Sequence, residues 1–138
     1  MKIINANPEI PGMNSREEVE RLLGSRLNLQ LATIDSIGYP NIQPVWFRCD
    51  TLKNRLYILT SSMSKKALNV RNNSKVYFSV DDCNVLYKGV KGRGTATIST
   101  DPTTVVSTAN KTRQKDAVVI EIVHKFISTW DFGRMQST

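Results

Sequence analysis

The chain has 138 residues, with 19 Lys and Arg against 12 Asp and Glu, so its formal charge is +7 at pH 7; 40% of it is hydrophobic and 22% charged. That length suits one domain able to fold without a disulfide or metal staple, and the composition excludes a chain disordered over most of its length. A charge of +7 admits nucleic acid, an anionic membrane or an anionic small molecule as partner, but the bases concentrate in 48–75 and 88–115 and form no basic tail.

Ser15 followed by Glu18 is a capping-box start for a short helix, with Val19, Leu22 and Leu23 as its apolar stripe and Gly24 as its stop. The segment before it, Met1 to Pro11, is a mixed polar arm without a signal-peptide core. Leu27, Leu29 and Leu31 alternate with polar residues and predict a half-buried strand. Ile37 to Pro40 is a turn, and Ile42 to Cys49 reads as one further strand. Pro44 inside it cannot donate to a ladder, which predicts an edge or a bulge. Arg55 to Thr60 is the next strand. Lys65 to Arg71 has helical potential, and Lys75 to Val80 alternates again. Val85 to Ser99 predicts a long strand bent at Gly89, Gly92 and Gly94. A polar connection follows over Asp101 to Lys115, and then two last strands, Ala117 to Val123 and Phe126 to Phe132.

Strands this closely spaced, without helical crossovers, favour a closed antiparallel sheet, a small barrel, over a parallel one. The whole chain, 1–138, reads as one domain with its core over about 15–132. No apolar run approaches the ~20 residues of a membrane-spanning helix. The expectation is a soluble, cytoplasmic protein that binds no membrane. Cys49 and Cys83 are expected to be free core thiols. One histidine and no Cys-x-x-Cys argue against a zinc site, and His124 is expected at the surface, at the end of a strand.

The segment with most chemistry is Thr60-Ser61-Ser62-Met63-Ser64-Lys65-Lys66. A strand ends, hydroxyls follow, and two lysines open a helix. The first helical N–H groups lack internal partners and carry a partial positive charge. Hydroxyls and two ammonium groups beside them make a phosphate cradle, weighed against a solvated cap with surface lysines. Gly92-Arg93-Gly94 is no dinucleotide fingerprint, because position 97 is Thr and no helix follows. No nucleophile elbow and no paired catalytic carboxylates are evident, so any redox or group-transfer chemistry would rest on a cofactor. Tyr57, Tyr77 and Tyr87 with the positive charge leave nucleic-acid binding as a minor reading.

The order of motifs resembles the pyridoxamine phosphate oxidase-like flavin-binding split barrels. It runs Leu31-Ala32-Thr33-Ile34-Asp35, Gly38-Tyr39-Pro40, Pro44-Val45-Trp46-Phe47, Leu56-Tyr57-Ile58-Leu59-Thr60, Ser64-Lys65-Lys66-Ala67-Leu68-Asn69-Val70 and Asn73-Ser74-Lys75-Val76. The resemblance implies a mainly β chain, a six- to seven-stranded antiparallel split β-barrel with a few short helices. It implies a homodimer with the cofactor, FMN, in a groove at the subunit interface. Lys65 and Lys66, helped by Thr60, Ser61 and Ser64, would hold the phosphate. Gln43, Pro44, Val45, Trp46, Phe47 and Leu59 would lie along the flavin ring, and Trp130 would approach it from the other subunit. The implied activity is hydride transfer to or from a small molecule. Pyridoxamine phosphate itself is not the expected substrate: the chain lacks the family's Arg-Leu-His-Asp-Arg-like C-terminal segment and has no glutamine near Lys88. A deazaflavin coenzyme is the alternative cofactor, since Lys53, Arg55, Lys91 and Arg93 would suit a longer anion, and a non-catalytic flavin-binding protein is the alternative role.

Overall fold

The computed structural model describes residues 2–13, 15–25, 27–83, 87–101, 104 and 116–136. The elements in chain order are β1 (Lys2–Asn5), α1 (Arg16–Leu23), β2 (Leu29–Ile34), β3 (Pro40–Val45), β4 (Arg48–Asp50), β5 (Arg55–Ser61), α2 (Lys65–Asn72), β6 (Lys75–Asp82), β7 (Lys88–Ser99) and β8 (Ala117–Asp131), with a closing 3-10 helix at Phe132–Gln136. All eight strands belong to one sheet, ordered β3-β2-β6-β7-β8-β5-β4, with β1 added beside β8. The mainly β, antiparallel class expected from the sequence holds; β1 alone runs parallel to its neighbour.

Local chemistry accounts for the turns and caps. Ser15 accepts the Glu18 amide at 3.2 Å and starts α1, and Gly24 caps its end. The Glu18 carboxylate pairs with Arg134 of the C-terminal 3-10 helix. The β2–β3 hairpin turns on Asp35, whose carboxylate accepts the amides of Ile37 and Tyr39 at 3.1 and 2.8 Å. Gly38 takes φ +89° there, a conformation that suits glycine. Inward-facing Leu29, Leu31, Leu56, Ile58, Phe78, Val80, Ile120, Ile122 and Ile127 fill the barrel, and Val19, Leu22 and Leu23 of α1 join the same core.

The expected strand over Ile42 to Cys49 is in fact two. Among the described residues β3 pairs only with β2 at one edge of the sheet, and β4 pairs only with β5 at the other. Pro40 and Pro44 therefore lie on an edge, where missing N–H groups cost no ladder bond. Trp46 and Phe47 alone join the two edges. Laid flat, seven strands at ~4.8 Å spacing would hold their edges about 29 Å apart, whereas the three peptide steps from Val45 to Arg48 reach at most about 11 Å. The sheet must curl nearly shut. Pairing of β4 with β5 ends at Arg48 and Tyr57, and beyond it β3 and β5 separate. The barrel is split there.

The two strands expected at the C-terminus are one. Their apparent break is a β-bulge. Gly94 pairs with His124 and Gly92 with Ile127, so β8 carries one extra residue opposite Arg93. The bulge shifts the inward set of β8 from Ile120, Ile122 and His124 to Ile127 and Thr129, so strict alternation fails at Lys125-Phe126. The N-terminal arm also contributes more than expected. β1 pairs with Phe126–Thr129, and the Met13 amide donates to the buried Thr129 hydroxyl at 2.9 Å. The expected start of the glycine-bent strand at Val85, and the connection 101–115 apart from Asp101 and Thr104, lie outside the described residues.

Cys49 is half-buried and Cys83 exposed, so the second is not a core thiol. Burial, with the nearby Asp50 and Glu20 carboxylates, pushes the Cys49 thiol up to about 11. His124 is not a surface residue: it is 3% exposed and packs on the Phe78 ring at 5.6 Å between centroids. Neither ring nitrogen has a hydrogen-bond partner among the described residues, and burial lowers its pKa from 6.5 to about 4. Between those values the unfolded chain binds the proton and the folded chain does not, so stability rises with pH across that window. The contribution is full above about pH 6.5 and lost as the pH falls toward 4. Denaturant midpoints measured from pH 7 to 4 should fall by the equivalent of roughly 3 kcal/mol from this group. His124→Leu should flatten that part of the profile; an unchanged slope would reject it.

Candidate cofactor site

Helix α2 begins where β5 ends. Ser64 is its N-cap and accepts the Ala67 amide at 3.2 Å. The Thr60 hydroxyl donates to Ser64 Oγ at 3.0 Å, which ties the strand end to the helix start. The amides of Lys65 and Lys66 have no partner among the described residues, as expected for a first helical turn. Lys65 is exposed and Lys66 half-buried. Burial lowers the Lys66 pKa, and a bound anion beside it would offset that desolvation. The first helical turn thus carries two open amides, a capping hydroxyl and two lysine side chains. This arrangement fits a phosphate ester.

One expected contributor, Ser61, has partners within the protein. The Ser61 hydroxyl donates to the Asp116 carboxylate at 2.7 Å and accepts the Met63 amide at 3.2 Å. It braces the loop before the helix. Arg71 serves the same loop, donating to the Ser62 carbonyl at 2.6 Å.

Gln43, Pro44 and Val45 lie on β3, and Leu59 and Thr60 on β5, so they flank the split from opposite sides. Gln43 and Pro44 are exposed and Val45 is buried. Trp46 is 87% exposed, and with Phe47, Ser25 and Leu27 it lines a cleft of about 380 Å³. Gln43 to Val45 and Leu59 with Thr60 thus lie on the two strands that border the split, Trp46 and Phe47 line the cleft with Ser25 and Leu27, and Ser64, Lys65 and Lys66 open the helix that follows β5.

Trp130 is elsewhere. Thr60 pairs with Val118 near the start of β8, and Trp130 lies twelve residues further along that strand, about 40 Å of strand path at ~3.3 Å per residue. There it pairs with Gly89, where a Cβ would stand 2.3 Å from the Trp130 ring. Tyr87 packs on Trp130 at 5.7 Å and on Phe132 at 5.5 Å between centroids. Within one chain Trp130 and the lysine pair occupy opposite ends of β8.

The other candidate bases disperse as well. Arg55 is paired with Glu121 and, with Lys53, lines a groove at the β4–β5 turn. Arg93 stands over the Phe126 ring on another face. The three tyrosines share no track: Tyr57 and Tyr77 line different grooves, and Tyr87 lies against Trp130. Among the described residues no group of His, Cys, Asp and Glu is disposed to hold a metal, and no helix is long and apolar enough to cross a membrane.

One positioning pair escaped the sequence reading. The Asn69 amide of α2 donates to the Thr33 hydroxyl of β2 at 3.0 Å, with Asn69 5% and Thr33 0% exposed. Together with buried Ala67 and Val70 it fixes the helix against the barrel and so aims its first turn. The only signal was that Thr33 continues the inward alternation of Leu29 and Leu31.

Residues 15–131 match the pyridoxamine 5'-phosphate oxidase family, and the chain belongs to that family. Solved structures agree on the fold. A conserved hypothetical protein from Mycobacterium tuberculosis superposes with a TM-score of 0.75 at 22% identity, covering 94% of this chain and 91% of its own. An F420 reductase gives 0.67 at 24% identity, with 84% and 98% covered. A FAD-binding protein from Mesorhizobium loti gives 0.70 at 18% identity, with 89% and 98% covered. A search of curated proteins found no match.

Thr33→Val should leave the buried Asn69 amide without its acceptor and cost about 1–3 kcal/mol. Chemical denaturation would read this directly. A loss below the error of the midpoint would mean that the pair does not anchor α2.

Proposed function

We propose that this chain is a flavin-dependent oxidoreductase that binds FMN at the split and passes hydride to or from a small molecule other than pyridoxamine phosphate. The observation that carries the reading is the capped start of α2, where Ser64, two open amides and the Lys65–Lys66 pair meet beside the split between β3 and β5. Bound there, a flavin would supply the redox chemistry. The chain's own groups act by placement. Lys65, Lys66 and the helix amides hold the phosphate, and Gln43 to Phe47 and Leu59 present sheet edge and apolar surface to the ring. The family match supports a flavin in general, and a neighbour named as an F420 reductase keeps the deazaflavin coenzyme as the alternative. The dispersal of Lys53, Arg55 and Arg93 over separate grooves favours a cofactor with a single phosphate over one with a long anionic tail.

Titration of the purified chain with FMN and, separately, with a deazaflavin coenzyme, followed by visible spectroscopy, tests the reading. FMN should bind at micromolar concentration or better, and failure of both to bind would reject it. Lys65→Ala combined with Lys66→Ala should weaken the flavin at least tenfold, since charge-assisted contacts contribute ~1.5–3 kcal/mol each. An unchanged Kd would move the phosphate elsewhere.

A homodimer is part of the same reading. Trp130 and the lysine pair can serve one cofactor only if they come from two chains. Ile42, Trp46 and Met63, on β3, after it and before α2, are 68%, 87% and 71% exposed. Large apolar side chains so exposed around one site suit a covered surface. Light scattering should give twice the chain mass at micromolar protein. A monomer that binds flavin fully would contradict it.

A further inference from the structure

Lys75, Arg93 and Lys125 stand exposed on three neighbouring strands, and none forms an ion pair among the described residues. The register sets Tyr77 opposite Arg93 and Lys75 opposite Thr95, with Val123 beyond Thr95 on β8. Their side chains rim an open groove of about 830 Å³ on the outer face of the barrel, within the ~300–1,000 Å³ of small-molecule sites. Among the described residues its lining includes no Asp or Glu. Its surface is chiefly apolar, with Tyr77, Val123 and Phe126 among its members.

The β8 bulge builds this groove. With one residue too many opposite Arg93, both Lys125 and Phe126 are brought to the same wall. Bulges re-aim side chains in this way. The Arg93 guanidinium then sits 5.1 Å above the centre of the Phe126 ring. Stacking of this kind holds the planar fork in place while its N–H groups can still meet a carboxylate. Glycine is required at the bulge: a Cβ on Gly92 would stand 2.8 Å from the Phe78 ring, and one on Gly94 2.6 Å from Ile122.

We propose that this groove is a binding site for a small aromatic carboxylate, distinct from the split. The ring would lie against Tyr77 and Phe126, and the carboxylate would meet Arg93, flanked by Lys75 and Lys125. Charge complementarity selects an anion, and the aromatic, apolar lining selects an organic anion over inorganic phosphate.

The test is calorimetric titration of the full chain with 2-naphthoate, with 2-naphthol and inorganic phosphate as controls. Saturable binding of one 2-naphthoate per chain is expected, at least tenfold weaker in Arg93→Gln, with Lys125→Gln weakened in the same direction and Arg93→Lys between. 2-Naphthol should bind at least tenfold more weakly, and phosphate should not compete. The Lys65→Ala, Lys66→Ala chain should keep the wild-type affinity for 2-naphthoate, so that failure of the flavin reading leaves this result standing. Absence of saturable binding overturns the proposal, as does equal affinity for 2-naphthol or an unchanged Kd in Arg93→Gln. Light scattering on Arg93→Gln covers the other occupant: loss of oligomer in a chain that never binds 2-naphthoate would assign the face to contact between copies.

Discussion

The passage of the chain from one edge of the sheet to the other in two residues constrains everything else. Trp46 and Phe47 cannot span an open seven-stranded sheet, so the sheet closes on itself. They also cannot let β3 run on beside β5, because the chain leaves β3 at Val45 and resumes pairing only at Arg48. Closure and split are therefore one event. The split leaves backbone edges of β3 and β5 open at the point where β5 delivers the chain to α2. A barrel closed all round would have no edge to offer a ligand, and a flat sheet would hold these two strands apart.

The helix start is useful because other contacts hold it still. Ser64 caps it, Thr60 ties the cap to β5, and Asn69 anchors the helix body to Thr33. Asp116, just before β8, holds the loop through the Ser61 hydroxyl and, by its carbonyl, the Ser62 amide. Each bond leaves the Lys65 and Lys66 amides facing outward. A free helix of eight residues would be marginal in water. Its anion-binding geometry here depends on tertiary packing more than on its own propensity.

What could be read in the sequence follows from range. Local signals were sound: alternation marked most of the strands, Ser15 and Ser64 marked the helix starts, and Pro44 marked an edge. The break after Val45 was not readable, because Val45-Trp46-Phe47 is a continuous apolar, strand-favouring run. What interrupts pairing there is the demand of closure. The bulge was half visible: the alternation did change phase near Lys125, but a phase change and a chain break look alike when no partner strand is in view. β1 carried no periodic signal, since its order comes from pairing along β8. For the site, the motif with its own cap chemistry was recoverable. The Thr33–Asn69 pair and the placement of Trp130 at the far end of β8 depend on elements that meet only in the fold.

The net charge of +7 divides on the same principle. Arg16, Arg55 and Arg134 are spoken for by Glu20, Glu121 and the Glu18–Asp131 pair. Lys65 and Lys66 stand among hydroxyls and amides, and Lys75, Arg93 and Lys125 stand around aromatic and apolar surface. At physiological salt, charges act over roughly 8 Å, so each group selects its own ligand, and the total charge is no guide to a single polyanionic partner. Surroundings then decide which anion suits which group. Polar donors suit phosphate oxygens, whereas an apolar lining favours a ligand that brings apolar surface of its own. The excess that one phosphate leaves unexplained is, on this division, a second and chemically different preference built on the opposite side of the sheet from the core.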